Sequence, residues 1–163
     1  MFKSNRYPNL RELWSRSPNA WAQLHGSGDG YSITGNVKFY TVPNGVIVVA
    51  EIAGLPHSSQ KCSNRIFGFH IHEGELCTGN AADPYSNAGG HYNPDGCPHP
   101  YHAGDLPPLF GNKGIAFSAF LTNRFTTKEI IGKTLIIHSS PDDFTSQPSG
   151  NAGTKIACGR IVG

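Results

Sequence analysis

At 163 residues the chain is long enough for one domain with a core of its own. Charged residues make up 15% and the net charge is +2, so no basic stripe points to nucleic acid, and no apolar run approaches the length of a membrane span. The 20 glycines and 12 prolines fit a turn-rich β protein with long ordered loops and argue against a helical bundle.

Residues 1–18 read as an N-terminal extension. Within it, NLRELWSR favours a short helical turn with Leu10, Leu13 and Trp14 on one side, an arm laid on the domain surface. The segment has neither the apolar stretch nor the small-residue cleavage site of a secretory signal. A chain that starts this way is expected in the cytoplasm, or outside it if a leader has been removed. Residues 19–163 form the domain proper, and the pattern there is strand-like from Asn19 onward.

ITGNVKFYTV and VIVVAEIAGL flank the turn residues Pro43, Asn44 and Gly45, which reads as a hairpin. RIFGFHIH is the next strand, followed by a long loop from about Glu73 to Asp105. DLPPLF and GIAFSAFL flank Gly111, Asn112 and Lys113 and suggest a second hairpin. The strand GKTLIIHS, a second long loop PDDFTSQPSGNAG and the strand KIACGRIV complete the chain. Short, regular strands with turn signals between them predict an all-β sandwich or barrel. Loops longer than about 12–15 residues are uncommon in a compact domain and usually functional. Both long loops here adjoin a histidine-bearing strand.

Six of the 8 histidines fall between His70 and His138. In RIFGFHIH, alternation puts Phe67, Phe69 and Ile71 on a core face, with His70 and His72 side by side on the other. That spacing suits a shared ion, although a solvent-facing pair would look the same. His138 ends the strand TLIIH, where it can reach the same face. The segment HYNPDGCPHPYHAGD is broken by prolines at 94, 98 and 100, which exclude a helix or a central strand. It carries His91, His99, His102 and Asp105: three nitrogens and a carboxylate, a sufficient set for tetrahedral Zn²⁺. A bound metal would organise a loop that secondary structure cannot. The alternative is a polar loop whose histidines merely titrate.

GFHIHEG, GGHYNP, HAGDLP, GNAG and ACG, in this order, resemble the signature blocks of copper–zinc superoxide dismutase, in a bacterial-type arrangement. The likeness runs from about Asn19 to Ile161. It implies an immunoglobulin-like Greek-key β-sandwich or flattened barrel, with a metal-binding loop and an electrostatic loop. It implies an enzyme that dismutates superoxide to O2 and H2O2 by alternate reduction and oxidation of copper. The copper would be bridged to zinc through one histidine, with one ion of each per subunit. By resemblance, copper is held by His70, His72, His91 and His138, and zinc by His91, His99, His102 and Asp105. Asp142 would bond to the free nitrogens of His70 and His99. A metal-binding sandwich without turnover, serving storage or partner binding, is the competing reading.

The resemblance pairs Cys77 with Cys158 in a disulfide. Such bonds indicate an oxidising compartment, although cytosolic members of the family keep theirs. Cys62 and Cys97 have no counterpart; Cys97 stands beside His99, where a free or structural thiol is expected rather than a competing ligand. Where the family places an arginine three residues before the last cysteine, this chain has Lys155. It is a cation for the substrate anion but lacks the planar, two-pronged donor set. His91 and Lys155 are therefore the candidate catalytic residues. A homodimer is the assembly the resemblance suggests, although the apolar pattern does not decide it.

Overall fold

The computed structural model describes residues 10–27, 32–63 and 65–163. It is nearly all-β. Strands β1 (Ala20–Gly26), β2 (Thr34–Val42) and β3 (Gly45–Ala53) run antiparallel in succession. β1 shows why: Ala20, Ala22 and Leu24 are buried while the residues between them are exposed, the period-2 pattern of a one-sided strand. β4 (Ile66–Phe67) and β5 (Phe69–His72) are two halves of one extended segment interrupted at Gly68. They are followed by β6 (Leu109–Phe110), β7 (Ile115–Thr122), β8 (Thr134–His138) and β9 (Lys155–Val162).

Seven strands form one antiparallel sheet in the order β5-β8-β9-β1-β2-β3-β7, and β4 pairs with β6. Because β4 continues into β5 at one end of this sheet, and β6 packs beside β7 at the other, the sheet curls into a barrel-like form. Its interior holds Val37, Phe39, Val48, Ile52, Phe67, Phe69, Ile71, Leu109, Leu135 and Ile137 among others, all buried. Each such side chain contributes on the order of 1.5–3 kcal/mol relative to exposure.

The hairpin over Pro43–Gly45 is present as β2–β3. The second expected hairpin is not: β6 pairs with β4 and β7 with β3, and only Asn112 and Ile115 bridge across the turn. Pro107 and Pro108 lack the N–H groups that a longer ladder with β7 would need. Sequence patterning also missed α2 (Thr127–Ile130), whose signal was a capping box between Thr126 and Glu129.

Helix α1 (Leu10–Trp14) forms where a helical turn was expected, but its two described apolar side chains part company. Leu13 is buried against Tyr40 and Val49, whereas Trp14 is 59% exposed. The side chain of Leu10 and residues 1–9 lie outside the described residues. Among those described, no helix is long and apolar enough to cross a membrane.

For function, the important part of the sheet is β5-β8-β9. It sets His70 and His72 on β5 beside His138 at the end of β8 and Lys155 at the start of β9.

Candidate metal centre

The free edge of β5 receives both ends of the first long loop. Tyr92 N–H donates to Ile71 O (2.8 Å), Ile71 N–H to Gly104 O (2.9 Å), and Glu73 N–H to Gly90 O (3.0 Å). These bonds bring His91 opposite His72, and Asp105 opposite His70, as isolated bridges. The approach is so close that a Cβ on Gly104 would run into the carbonyl of Ile71. β5 is consequently buried on both faces, with Phe69 and Ile71 in the core and His70 and His72 under the loops.

Two donor groups result, and they share a residue. His70, His72, His91 and His138 present ligand atoms within 4.8 Å of one another, and so do His91, His99, His102 and Asp105. Every one of these side chains is buried or nearly so. Which nitrogen each ring offers follows from what the other nitrogen does. His70 Nε2 lies 2.7 Å from Asp142 Oδ2, leaving Nδ1; His72 Nδ1 lies 2.8 Å from Gly89 O, leaving Nε2. His138 Nδ1 approaches Gly153 O at 3.4 Å, and its Nε2 lies 3.3 Å from His72 Nε2. His99 Nε2 lies 2.9 Å from Asp142 Oδ1, leaving Nδ1.

His91 looks both ways. Its Nδ1 lies 2.7 Å from Asp105 Oδ1 and 3.4 Å from His102 Nδ1, while its Nε2 is on the side of the other three rings. His70 Nδ1 and His91 Nε2 are buried without a hydrogen-bond partner, and His99 Nδ1 has only the Asp105 carboxylate, with Oδ2 at 3.1 Å. Two orphaned imidazole nitrogens in so small a volume would be costly unless they have another kind of partner. A cation fits that need. The all-imidazole set suits copper, and the three-histidine, one-carboxylate set suits zinc.

Electrostatics point the same way. Burial lowers the pKa of His72 well below the ordinary value, and His138 and His91 push it further down. Burial, then the neighbouring His70, lowers that of His138 to about 3. Burial also lowers that of His70, against an opposing bond from Asp142. These rings are neutral at physiological pH, the form a metal requires. The carboxyl groups stay ionised. Burial alone would raise the pKa of Asp142, but His70, the Phe144 amide and His99 hold it well below the carboxylate range. Burial opposes ionisation of Asp105 too, and His91 above all overcomes it.

The second long loop closes over this arrangement. Gln147 Nε2 donates to His99 O (2.8 Å) and its Oε1 accepts from His99 N–H (3.0 Å), joining the two loops through one amide. Gly150, at φ +69°, packs against the Asp142–His99 contact; a Cβ there would come within 2.6 Å of His99 Nε2 and collide with Asp142. The Cys77–Cys158 disulfide ties the first loop to β9 across 81 residues of sequence, worth on the order of 4 kcal/mol in the chain-entropy picture. Cys62 is exposed and Cys97 partly so; both are free thiols, and neither joins a donor group.

Residues 33–161 match the copper/zinc superoxide dismutase family (SODC). The chain belongs to this family. Among relatives, the Cu-Zn superoxide dismutase 2 of Aquifex aeolicus (strain VF5) is 33% identical over 144 residues, covering 79% of each chain. The Cu-Zn superoxide dismutase of Deinococcus radiodurans is 34% identical over 149 residues, 78% of this chain and 76% of its own. That of Photobacterium leiognathi is 33% identical over 141 residues, 78% of each.

Three residues around this family's donor sets escaped the sequence reading. Arg124, between β7 and α2, directs Nη1 at the carbonyls of Pro100 (3.1 Å), His102 (3.3 Å) and Asp105 (3.1 Å). Gln147 joins the loops. Asp83 faces Lys155, with Nζ to Oδ2 at 2.5 Å. Arginine and glutamine on polar segments carry no local signal, so only the folded geometry reveals these partners. The proline-broken loop is therefore organised by side chains from elsewhere in the fold as well as by its donor set.

Proposed function

We propose that this protein dismutates superoxide to O2 and H2O2, with copper held by His70, His72, His91 and His138 and zinc by His91, His99, His102 and Asp105. The observation that carries the reading is His91, which belongs to both donor groups, with Nδ1 against Asp105 and Nε2 buried without a hydrogen-bond partner. A storage protein has no need of such sharing.

Copper held by His70, His72, His91 and His138 would supply the one-electron redox chemistry that dismutation requires. The other roles belong to the chain. His91 keeps Nδ1 on the zinc side and holds or releases a proton at Nε2, placing that proton where the second superoxide is reduced. His70, His72 and His138 fix the geometry on the copper side. Asp142, bonded to His70 and His99, keeps the two sets in register. Asp105, 2.7 Å from His91 Nδ1, holds that ring in orientation, and zinc bound by His91, His99, His102 and Asp105 would do the same.

A cavity of about 520 Å³ leads to His72, His91 and His138, and Lys155 lines it. Its size and position support entry of a small anion, with Lys155 as the cation nearest the reaction. Superoxide decay catalysed by protein loaded with copper and zinc tests the reading. A rate far above that of the zinc-only form supports it, and equal rates would leave a silent metal-binding sandwich.

The reading includes a homodimer through β7. What supports it is a row of exposed side chains, Ile115, Phe117 and Leu121, on a strand at one edge of the seven-stranded sheet. For the compartment, the Cys77–Cys158 bond favours an oxidising setting over the cytoplasm expected from the N-terminal sequence.

A further inference from the structure

Lys155 is not alone in the cavity. Its ammonium contacts Asp83 Oδ2 at 2.5 Å, and Asp83 lines the same space as His72, His91 and His138. Among the described residues these two are the only Asp, Glu, Lys or Arg side chains in the lining.

Asp83 is held in place by its surroundings. Its backbone N–H donates to Asn80 Oδ1 (3.0 Å), and its carbonyl accepts from Asn80 N–H (2.9 Å) and Ser86 N–H (3.1 Å). Its Oδ1 accepts from the Tyr85 amide (3.0 Å), leaving Oδ2 for the lysine. Lys155 is fixed in turn, as the first residue of β9, where it pairs with His138 across a bulge. Both partners thus sit on ordered backbone, and the lysine side chain is only 16% exposed.

Opposite unit charges this close act on an anion farther away as a small dipole, because their separate fields largely cancel. A lysine so paired gives little of the long-range attraction that a lone cation gives. We propose that Asp83 is a positioning residue that sets how much of the Lys155 charge reaches an anion at the copper site, holding anion attraction below what an unpaired lysine would provide. From the sequence, Lys155 was a cation for the substrate anion; the ion pair with Asp83 changes that role. The proposal rests on the metal assignment given above, though not on turnover.

Asp83→Asn isolates the effect. The amide keeps a carbonyl oxygen for the Tyr85 N–H and removes only the negative partner of Lys155. The wild type and the variants D83N, D83E, K155Q and D83N/K155Q are loaded with copper and zinc and titrated with azide, following the visible absorption of copper. D83N is expected to bind azide about five-fold more tightly, from one freed charge several ångströms away in a partly screened site. D83E should bind as the wild type does. K155Q, which strands Asp83, should bind several-fold more weakly, and the double variant should return near the wild type. Superoxide decay at low salt should quicken in D83N and fall more steeply as salt rises. Unchanged or weaker azide binding in D83N overturns the proposal. If D83N does not fold or load metal, K155Q and the double variant decide: failure of the second substitution to restore affinity overturns it equally. If azide affinities shift as expected but no loaded form dismutates superoxide, the functional reading fails while the charge pairing stands.

Discussion

Asp142 touches both donor sets, with Oδ2 2.7 Å from His70 Nε2 and Oδ1 2.9 Å from His99 Nε2. One carboxylate thereby fixes the ring orientation of a histidine in each set. Asp142→Ala removes both accepting oxygens, so neither ring keeps its partner. Metal affinity is expected to fall about ten-fold or more, the usual cost of losing an outer partner. Because Asp142 serves both sets, copper and zinc should both weaken. Competition titrations with a chelator, one metal at a time, check this; a loss confined to one metal contradicts the bridging role.

Arg124 acts on one set only. Its guanidinium spans three carbonyls of the segment that carries His99, His102 and Asp105. Charge-assisted bonds of this kind contribute about 1.5–3 kcal/mol each when well formed, less where water competes. Arg124→Ala is expected to speed amide hydrogen exchange over residues 98–105 and to weaken zinc about ten-fold, with copper changed little. Arg124→Lys should recover only part of this, since the shorter lysine side chain must bring its ammonium to the place where Nη1 alone meets the three carbonyls. Equal exchange in wild type and R124A would show that the loop is held by other means.

Burial of neutral imidazoles gives the metal-free protein a defined pH response. The folded-state pKa of His138 is lowered to about 3, below the ordinary 6.5, and those of His72 and His70 are lowered as well. Between these values the unfolded chain binds more protons than the folded one, so stability rises with pH. Read downward, stability is full above about 6.5 and is lost as pH falls toward 3. Asp142 and Asp105, whose pKa values are lowered in the fold, add to the loss at the acid end of that window. A loss of a few kcal/mol corresponds to a drop of about 10 °C in melting temperature for a chain of this size. Melting curves of the metal-free protein from pH 7 to pH 4 check the sign; a flat profile contradicts it.

Much of this centre was legible in the chain because it depends on short-range patterns. Alternation in FHIH put both histidines on the face away from the core, and the prolines between 94 and 100 marked a segment that a regular ladder cannot hold. Strand existence was legible for the same reason, since β1 and β2 alternate over most of their length, while β3 and β9 are short runs rich in valine, isoleucine and alanine. Strand partnership was not. β6 adjoins β7 in sequence, yet it pairs with β4, a choice set by closure of the sheet. The Asp83–Lys155 pair spans 72 residues, and the Gln147–His99 pair 48. Both depend on how the two long loops meet, which no local pattern encodes. Trp14 shows the same limit: in a five-residue helix it is exposed, while its neighbour Leu13 packs with Tyr40 and Val49.

The apolar row on β7 leads to the last prediction. Ile115 is 61% exposed, Phe117 57% and Leu121 44%, on the last strand of the seven-stranded sheet. Single exposed apolar residues are ordinary, but these three, with exposed Ala119 between Phe117 and Leu121, form one strip along a face of the strand that water solvates poorly. A dimer burying this strip is expected to dissociate when Phe117 becomes Glu, because the charge would have to be buried unpaired. Light scattering on wild type and F117E checks this: the mass should fall from two chains to one while the copper and zinc content stays at one each per chain. Phe117 lies outside both donor sets, so lost metal content in F117E would mean that the strip supports the fold itself rather than an interface.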